Sequence, residues 1–337
     1  MFPTMRAQEL KQIVHTNSIR FIDCRYSLND ASYGKYVYRK GHLPNAVFLD
    51  LMEDLSGPLG EHGGRHPLPS KEAWTATLRR IGLKKEDLVV IYDDGFPFAA
   101  RAWWLFKWAG HERVVVLEGG IQSGITYCGE TTADVPNYPA SDYAPDFQDD
   151  MIATLEEVKA ATSGSLYDSR TEDRFNGTHE PIDQKAGHIP NALLCSYAEA
   201  ITELGTLEDF HDLKELYKDV LTVENPIFYC GSGVTACVNI LALHALGKDD
   251  VRLYPGSYSD WISYPENEVV YFTPKLMLFQ NNLYLTLVGL MFQTAFAYSV
   301  IVRSLEKIPD FAVLTIELSA QRGRSLKTSS TRRCARI

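Results

Sequence analysis

Residues 227–237 read IFYCGSGVTAC, an apolar run that ends on Cys230 and passes directly into Gly231, Ser232, Gly233, Val234 and Thr235. The next stretch, VTACVNILALHALG, is apolar almost all round and closes on Gly247, which predicts a buried helix with a glycine C-cap. A cysteine between such a strand and such a helix lies where open α/β sheets bind their ligands, outside the carboxyl ends of the strands. The glycines permit positive φ, so successive backbone N–H groups can turn toward one point. The helix N-terminus adds its partial positive charge there. Together they favour a thiolate, or an anion carried on it, and the hydroxyls of Ser232 and Thr235 are spaced to donate to the same sulfur. The chemistry this predicts is nucleophilic attack by Cys230, with the developing charge held by the Gly231–Thr235 turn. Cys195 and Cys237 lack such a setting and read as packed structural thiols.

The elements that position Cys230 occur twice. FIDCR at 21–25 recurs as LYDSR at 166–170, and GHLPNA at 41–46 recurs as GHIPNA at 187–192. VVIYDDG at 89–95 answers PIFYCGS at 226–232, and EGGIQSG at 118–124 answers PGSYSDW at 255–261. The order is the same in both halves, so the chain is a duplication. In each copy short apolar strands alternate with helical stretches such as AARAWWLFKWAGH and DLKELYKDVL, which predicts an α/β fold: two tandem domains, each a mostly parallel sheet covered by helices on both faces. Asp93 occupies the place of Cys230 in the first copy, and a carboxylate cannot serve as a sulfur nucleophile. The expected division is an inactive domain over 1–130, a Pro/Asp/Thr-rich linker over 131–150, a catalytic domain over 151–270 and an atypical tail over 271–337. The first copy holds nine extra residues between GHLPNA and Asp93, within DLMEDLSGPLGEHGGRHPLP, a loop that carries His62, Arg65 and His66. A long loop on a rigid scaffold suits function, and this one is free to overhang the second copy's site.

Composition excludes several classes. The 337 residues carry a net charge of -10, which argues against a nucleic-acid partner bound through phosphate neutralisation. Six cysteines are scattered with no paired or cysteine–histidine metal spacing, so neither a disulfide framework nor a metal or other cofactor is expected, and the thiols read as reduced and cytoplasmic. The segment MFPTMRAQELKQIVH lacks a signal-peptide core and reads as an amphipathic helix. A cysteine phosphatase would need an arginine within the loop after its nucleophile, and Cys230 is followed by Gly, Ser, Gly, Val, Thr and Ala.

The pattern DSR…GHIPNA…CGSGVTAC…YPGSYSDW resembles the rhodanese superfamily, and the duplication resembles its two-domain sulfurtransferases, which use thiosulfate or 3-mercaptopyruvate. The resemblance covers residues from about 5 to 270 and implies that Cys230 takes a sulfane sulfur from a small-molecule donor, holds it as a persulfide, and passes it to a thiol such as thioredoxin or to cyanide. A neutral loop at 231–235 suits a monoanionic carboxylate donor, with Gly231, Gly233, Val234 and Thr235 as the substrate-binding turn. Arg174 in DRFNG matches an arginine that mercaptopyruvate enzymes use on the substrate carboxylate, the alternative being an ion pair. Where those enzymes place a second arginine, this chain has Asp183, and EPID is similar to bacterial thiosulfate-type proteins. The resemblance also implies a relay in which Ser232 is the hydroxyl and His66 the base. Met52 stands at the acid's place, so Asp50, Glu53 or Asp54 would have to substitute. Asp168 and Arg170 read as a structural pair, and His42 and His188, present in both copies, as turn-shaping residues. The competing reading is a non-catalytic rhodanese-like module that binds sulfur or regulates.

After residue 270 the balance reverses to nine Lys+Arg against three Asp+Glu. LYLTLVGLMFQTAFAYSVIV (283–302) is long enough to span a bilayer. A membrane anchor is one reading; the abrupt change of charge favours the other, a stretch translated beyond or outside the usual reading frame.

Overall fold

The apolar runs become strands for the reason expected, since β-branched residues fit a pleat buried on both faces. The computed structural model describes residues 1–13 and 18–271. The first copy contains β1 (Thr4–Met5), α1 (Ala7–Ile13), β2 (Ile19–Asp23), α2 (Tyr33–Lys40), β3 (Ala46–Phe48), α3 (Lys71–Arg80), β4 (Leu88–Tyr92), α4 (Pro97–Trp108), β5 (Val114–Leu117) and α5 (Gly120–Cys128). The second contains α6 (Leu155–Ala160), β6 (Leu166–Asp168), α7 (Glu172–Asn176), β7 (Leu193–Leu194), α8 (Phe210–Leu216), β8 (Ile227–Tyr229), α9 (Ala236–Ala245), β9 (Arg252–Leu253) and α10 (Ser257–Trp261).

Strand order is β1-β5-β4-β2-β3 in one sheet and β7-β6-β8-β9 in the other, with every strand pairing parallel. Read from the opposite edge, the second order repeats the first without β1. Even that strand leaves a trace, because Ile152 bridges Leu253 in parallel as Thr4 pairs with Val116. Along β4, Val89 and Ile91 enter one apolar cluster while Val90 and Tyr92 enter another. Both faces of the sheet are therefore covered, as parallel sheets require. The cluster that holds Val89 also contains Phe228, Cys230 and Leu253, so a single core runs through both copies. Its centre is the packing of α4 on α9, two helices with apolar residues on all sides.

Two expectations are corrected. The N-terminal segment is not one helix: Thr4 and Met5 extend the sheet beside Val116 and Leu117, and the helix begins at Ala7. Pro3 and Met5 carbonyls accept from the amides of Val116 and Glu118, which would otherwise be unpaired at the sheet edge. The helix after Cys230 begins at Ala236, not Val234, which leaves Val234 and Thr235 in the turn. The segment 131–150 lies along the first copy: Tyr138 stacks against Arg20, and the amides of Ser141 and Gln148 bond the carbonyls of Arg79 and Trp108. The apolar and basic tail lies outside the described residues. Among the described residues no helix is long and apolar enough to cross a membrane.

Candidate active site

Cys230 follows the last residue of β8, buried, at the start of a turn that α10 stitches from behind. The Cys230 amide donates to Ser257 Oγ at 3.1 Å, and the carbonyls of Cys230 and Gly231 accept from the amides of Tyr258 and Ser259 at 3.0 Å each. Gly233 has φ +75°, and a Cβ there would lie 2.3 Å from the Pro255 carbonyl oxygen, so only glycine fits. Among the described residues no protein acceptor takes the amides of Gly231 to Thr235.

The first copy shows what that backbone holds. The Asp93 carboxylate accepts from the amides of Gly95 at 2.8 Å, Phe98 at 2.9 Å and Ala99 at 3.0 Å, and also from Phe96. The residues in register with those four donors are Ser232, Gly233, Thr235 and Ala236. Phe96, the partner of Gly233, also has positive φ, at 113°. The turn is an anion cradle in both copies, filled by a side chain in one.

The nine-residue insertion brings the first copy over the second copy's cradle. The Gly63 amide donates to Asp260 at 2.7 Å, the His62 ring stacks on Tyr264, and the Arg65 amide donates to Ser259 Oγ at 3.1 Å. Gly64, at φ +79°, passes so close that a Cβ would sit 2.3 Å from the Gly256 carbonyl oxygen. These ties deliver His66, whose Nδ1 lies 2.7 Å from Ser232 Oγ. Burial, with help from Arg101 and Arg65, lowers the His66 pKa to about 4, so the imidazole is neutral near pH 7.

Two expectations about this group change. The Ser232 hydroxyl is engaged with His66, and among the described residues neither it nor Thr235 bonds the Cys230 sulfur. His66 has no carboxylate partner among the described residues. Asp50 accepts from the amides of Met52 and Glu53, Glu53 pairs with Lys35, and Asp54 pairs with Arg80. All three acids are held by their own loop, and the relay has two members.

Two arginines converge on the turn. A Cβ at Gly231 would lie 2.9 Å from an Nη of Arg65 and 3.4 Å from both Nη atoms of Arg174. Arg174 is thus where the sequence predicts it, but three groups claim it. Its Nε donates to Glu180 at 3.0 and 3.1 Å, and its Nη2 donates to Asp183 Oδ2 at 2.7 Å. Arg65 Nη1 donates to the other Asp183 oxygen, so one carboxylate bridges both guanidinium groups. Burial pushes the Asp183 carboxyl up, and Arg65 and Arg174 oppose that shift.

Sequence reasoning missed Arg101. It projects from α4, fully buried, and donates from Nη1 to the Gly233 carbonyl at 3.0 Å and from Nη2 to the carbonyls of His66 and Leu55 at 3.3 Å. It has no carboxylate partner among the described residues. Burial lowers its pKa, opposed by the sulfurs of Cys237 and Cys230. The available signal was a charge inside AARAWWLFKW, an otherwise apolar helix.

The remaining predicted roles fall into place. Arg170 grips Asp168 with Nε and Nη2 and reaches the Gly187 carbonyl, as Arg25 grips Asp23 and reaches Gly41. His188 stacks on Phe175 and bonds its carbonyl, as His42 does with Tyr38, so both shape a turn. Burial raises the thiols of Cys195 and Cys237 to about 12, consistent with packed, inert sulfurs.

The rhodanese-like domain model matches this chain twice, over residues 6–125 and 148–264. A probable 3-mercaptopyruvate sulfurtransferase of Pseudomonas aeruginosa is 37% identical over 276 residues, covering 79% of this chain and 96% of the relative. A putative thiosulfate sulfurtransferase of Mycobacterium tuberculosis is 35% identical over 277 residues, covering 78% and 95%. Among solved structures, the 3-mercaptopyruvate enzyme of Escherichia coli superposes with TM-score 0.64 at 29% identity, over 77% of this chain and all of that one. With a duplicated parallel sheet, a cradled cysteine in one copy and these matches, the chain belongs to the rhodanese family and, within it, to the two-domain sulfurtransferases.

Proposed function

We propose that Cys230 accepts a sulfur atom from 3-mercaptopyruvate, with thiosulfate as a second donor, and carries it as a persulfide to a thiol acceptor such as thioredoxin or to cyanide. The observation that carries this reading is the convergence of Arg65 and Arg174 over Gly231, next to Cys230, above a turn without charged side chains. Paired guanidinium groups suit a carboxylate geometrically, and the open amides suit the sulfur.

The Cys230 thiolate attacks the donor sulfur. The carbon–sulfur bond of 3-mercaptopyruvate breaks, its electron pair passes to the enolate of pyruvate, and the proton of the donor thiol completes the methyl group. Ser232 and His66 form the path for that proton: neutral His66 can accept at one nitrogen while the other donates. With thiosulfate the sulfur–sulfur bond breaks and sulfite leaves with the electron pair, with no proton required. The acceptor's thiolate then attacks the outer sulfur of the persulfide and restores the Cys230 thiolate; cyanide does the same and leaves as thiocyanate. Arg101 supports the charge from beneath through Gly233.

The site uses a reduced thiol, and Cys24, Cys195, Cys230 and Cys237 are all free, which supports a cytoplasmic setting. A non-catalytic module is disfavoured by an intact nucleophile and cradle. The test is turnover with both donors for wild type, Cys230→Ser and Arg174→Ala. Cys230→Ser should abolish both reactions, and Arg174→Ala should lose 3-mercaptopyruvate turnover selectively. Turnover surviving Cys230→Ser, or equal losses in Arg174→Ala, would overturn the mechanism or the donor respectively.

A further inference from the structure

Asp183 does not behave as the position's expected arginine would. Its carboxylate is 1% exposed, and each oxygen accepts from a different arginine, Oδ1 from Arg65 and Oδ2 from Arg174. Its amide donates to Glu180 Oε1 at 3.0 Å, which fixes its loop beneath the pair. Glu180 in turn pairs with Arg174 and Arg170, and Arg170 with Asp168. Three guanidinium groups are thus matched by three carboxylates, and the surface above Gly231 is poised near neutrality. An anion seat built from two arginines alone would carry two positive charges and would attract a dianion most strongly.

We propose that Asp183 is a resident carboxylate that occupies the seat between Arg65 and Arg174 and sets the charge a donor meets, favouring donors with one negative charge over dianions. This rests on the reading of that seat as the donor site. Asp183 acts as a specificity-determining residue, and it touches the donor's partners, not the reacting sulfur. The argument has a quantitative signature. Removing a negative charge changes the local potential by a fixed amount, and the energy of a bound ion scales with its own charge. A dianion should therefore gain about twice as much, on a logarithmic scale, as a monoanion at the same seat.

The test needs no turnover. The full chain, stripped of bound sulfur with cyanide, is alkylated at Cys230 with the neutral reagent iodoacetamide in the presence of pyruvate or sulfate at constant ionic strength. Protection constants are compared for wild type, Asp183→Asn, Asp183→Ser and Asp183→Glu. In both neutral variants pyruvate protection should tighten on the order of fivefold and sulfate protection by about the square of that factor. Asp183→Glu should keep the wild-type ratio of the two ions. An unchanged or reversed ratio in the neutral variants, weaker protection by both ions, no protection in any variant, or failure of both neutral variants to fold would overturn the proposal. In the last case the charge would be a structural tie. Should wild type turn over neither donor, the donor reading fails while the protection ratio still judges Asp183.

Discussion

The turn after β4 and the turn after β8 share a backbone and differ in what they hold. In the first, the Asp93 carboxylate takes four amides and is folded in permanently. In the second, the amides in register are unclaimed by protein, and the residue at their centre is a thiol that gains and loses a charged sulfur during turnover. The Asp93 turn has only backbone donors around its carboxylate. The Cys230 turn has Arg65, His66, Arg101 and Arg174 drawn to it, three of them from the other copy. Duplication thus separated two tasks: one copy kept the reactive centre, and the other spent its own turn on stability and grew a loop that completes its twin.

The largest expected effect breaks the comparison at its centre. Cys230→Ser should lower turnover by on the order of 10⁴-fold or more with either donor, the scale seen when a catalytic nucleophile is removed. The reciprocal Asp93→Cys, assayed in that background, should restore nothing, because no arginine or histidine attends the first turn. Steady-state assays check both.

Next is stability. Asp93→Ala strands buried amides and should cost about 4 kcal/mol in urea unfolding, whereas Cys230→Ala should cost about 1 kcal/mol or less. Similar losses at the two positions would mean that the turns are not equivalent cradles.

His66 sharpens the comparison through pH. Its pKa falls from 6.5 to about 4 on folding, so between those values the unfolded chain binds more protons. Stability should therefore be unaffected by this group above pH 6.5, fall as pH drops toward 4, and lose no more below it. The full loss is roughly 3 kcal/mol. His66→Asn should flatten that part of the pH–stability curve relative to wild type, and parallel curves would contradict the assignment.

The smallest effect concerns the overhanging loop. Gly64→Ala, with its positive φ and its contact on Gly256, should cost about 1 kcal/mol and raise KM for both donors while sparing the first copy's core. Melting curves together with KM report the two consequences separately.

Much of this was legible in the sequence because the signal was local. Strand, cysteine and glycine-rich turn are contiguous, and repetition exposed Asp93 as the lost nucleophile. His66 and Ser232 were paired through the resemblance, and their 2.7 Å approach agrees. What could not be read was long-range. Which residues claim Asp50, Glu53 and Asp54 depends on where Lys35, Arg80 and the loop's own amides lie. Arg101 is separated from Gly233 by 132 residues, and no periodicity links a charge on α4 to a carbonyl after β8. Asp183 was visible as a charge reversal, but only the fold brings Arg65 across from the other copy to meet it. The N-terminal strand was missed for a similar reason: two residues take their conformation from the edge of β5, not from their own pattern.

The central claim is that a sulfur rides on Cys230 and on no other thiol. The direct measurement is mass spectrometry of the full chain after treatment with 3-mercaptopyruvate in the absence of acceptor, followed by peptide mapping under non-reducing conditions. The account predicts the added mass of one sulfur atom per chain, confined to the peptide containing Cys230 and removed by cyanide. No added sulfur, or sulfur spread over Cys24, Cys195 and Cys237, would contradict it.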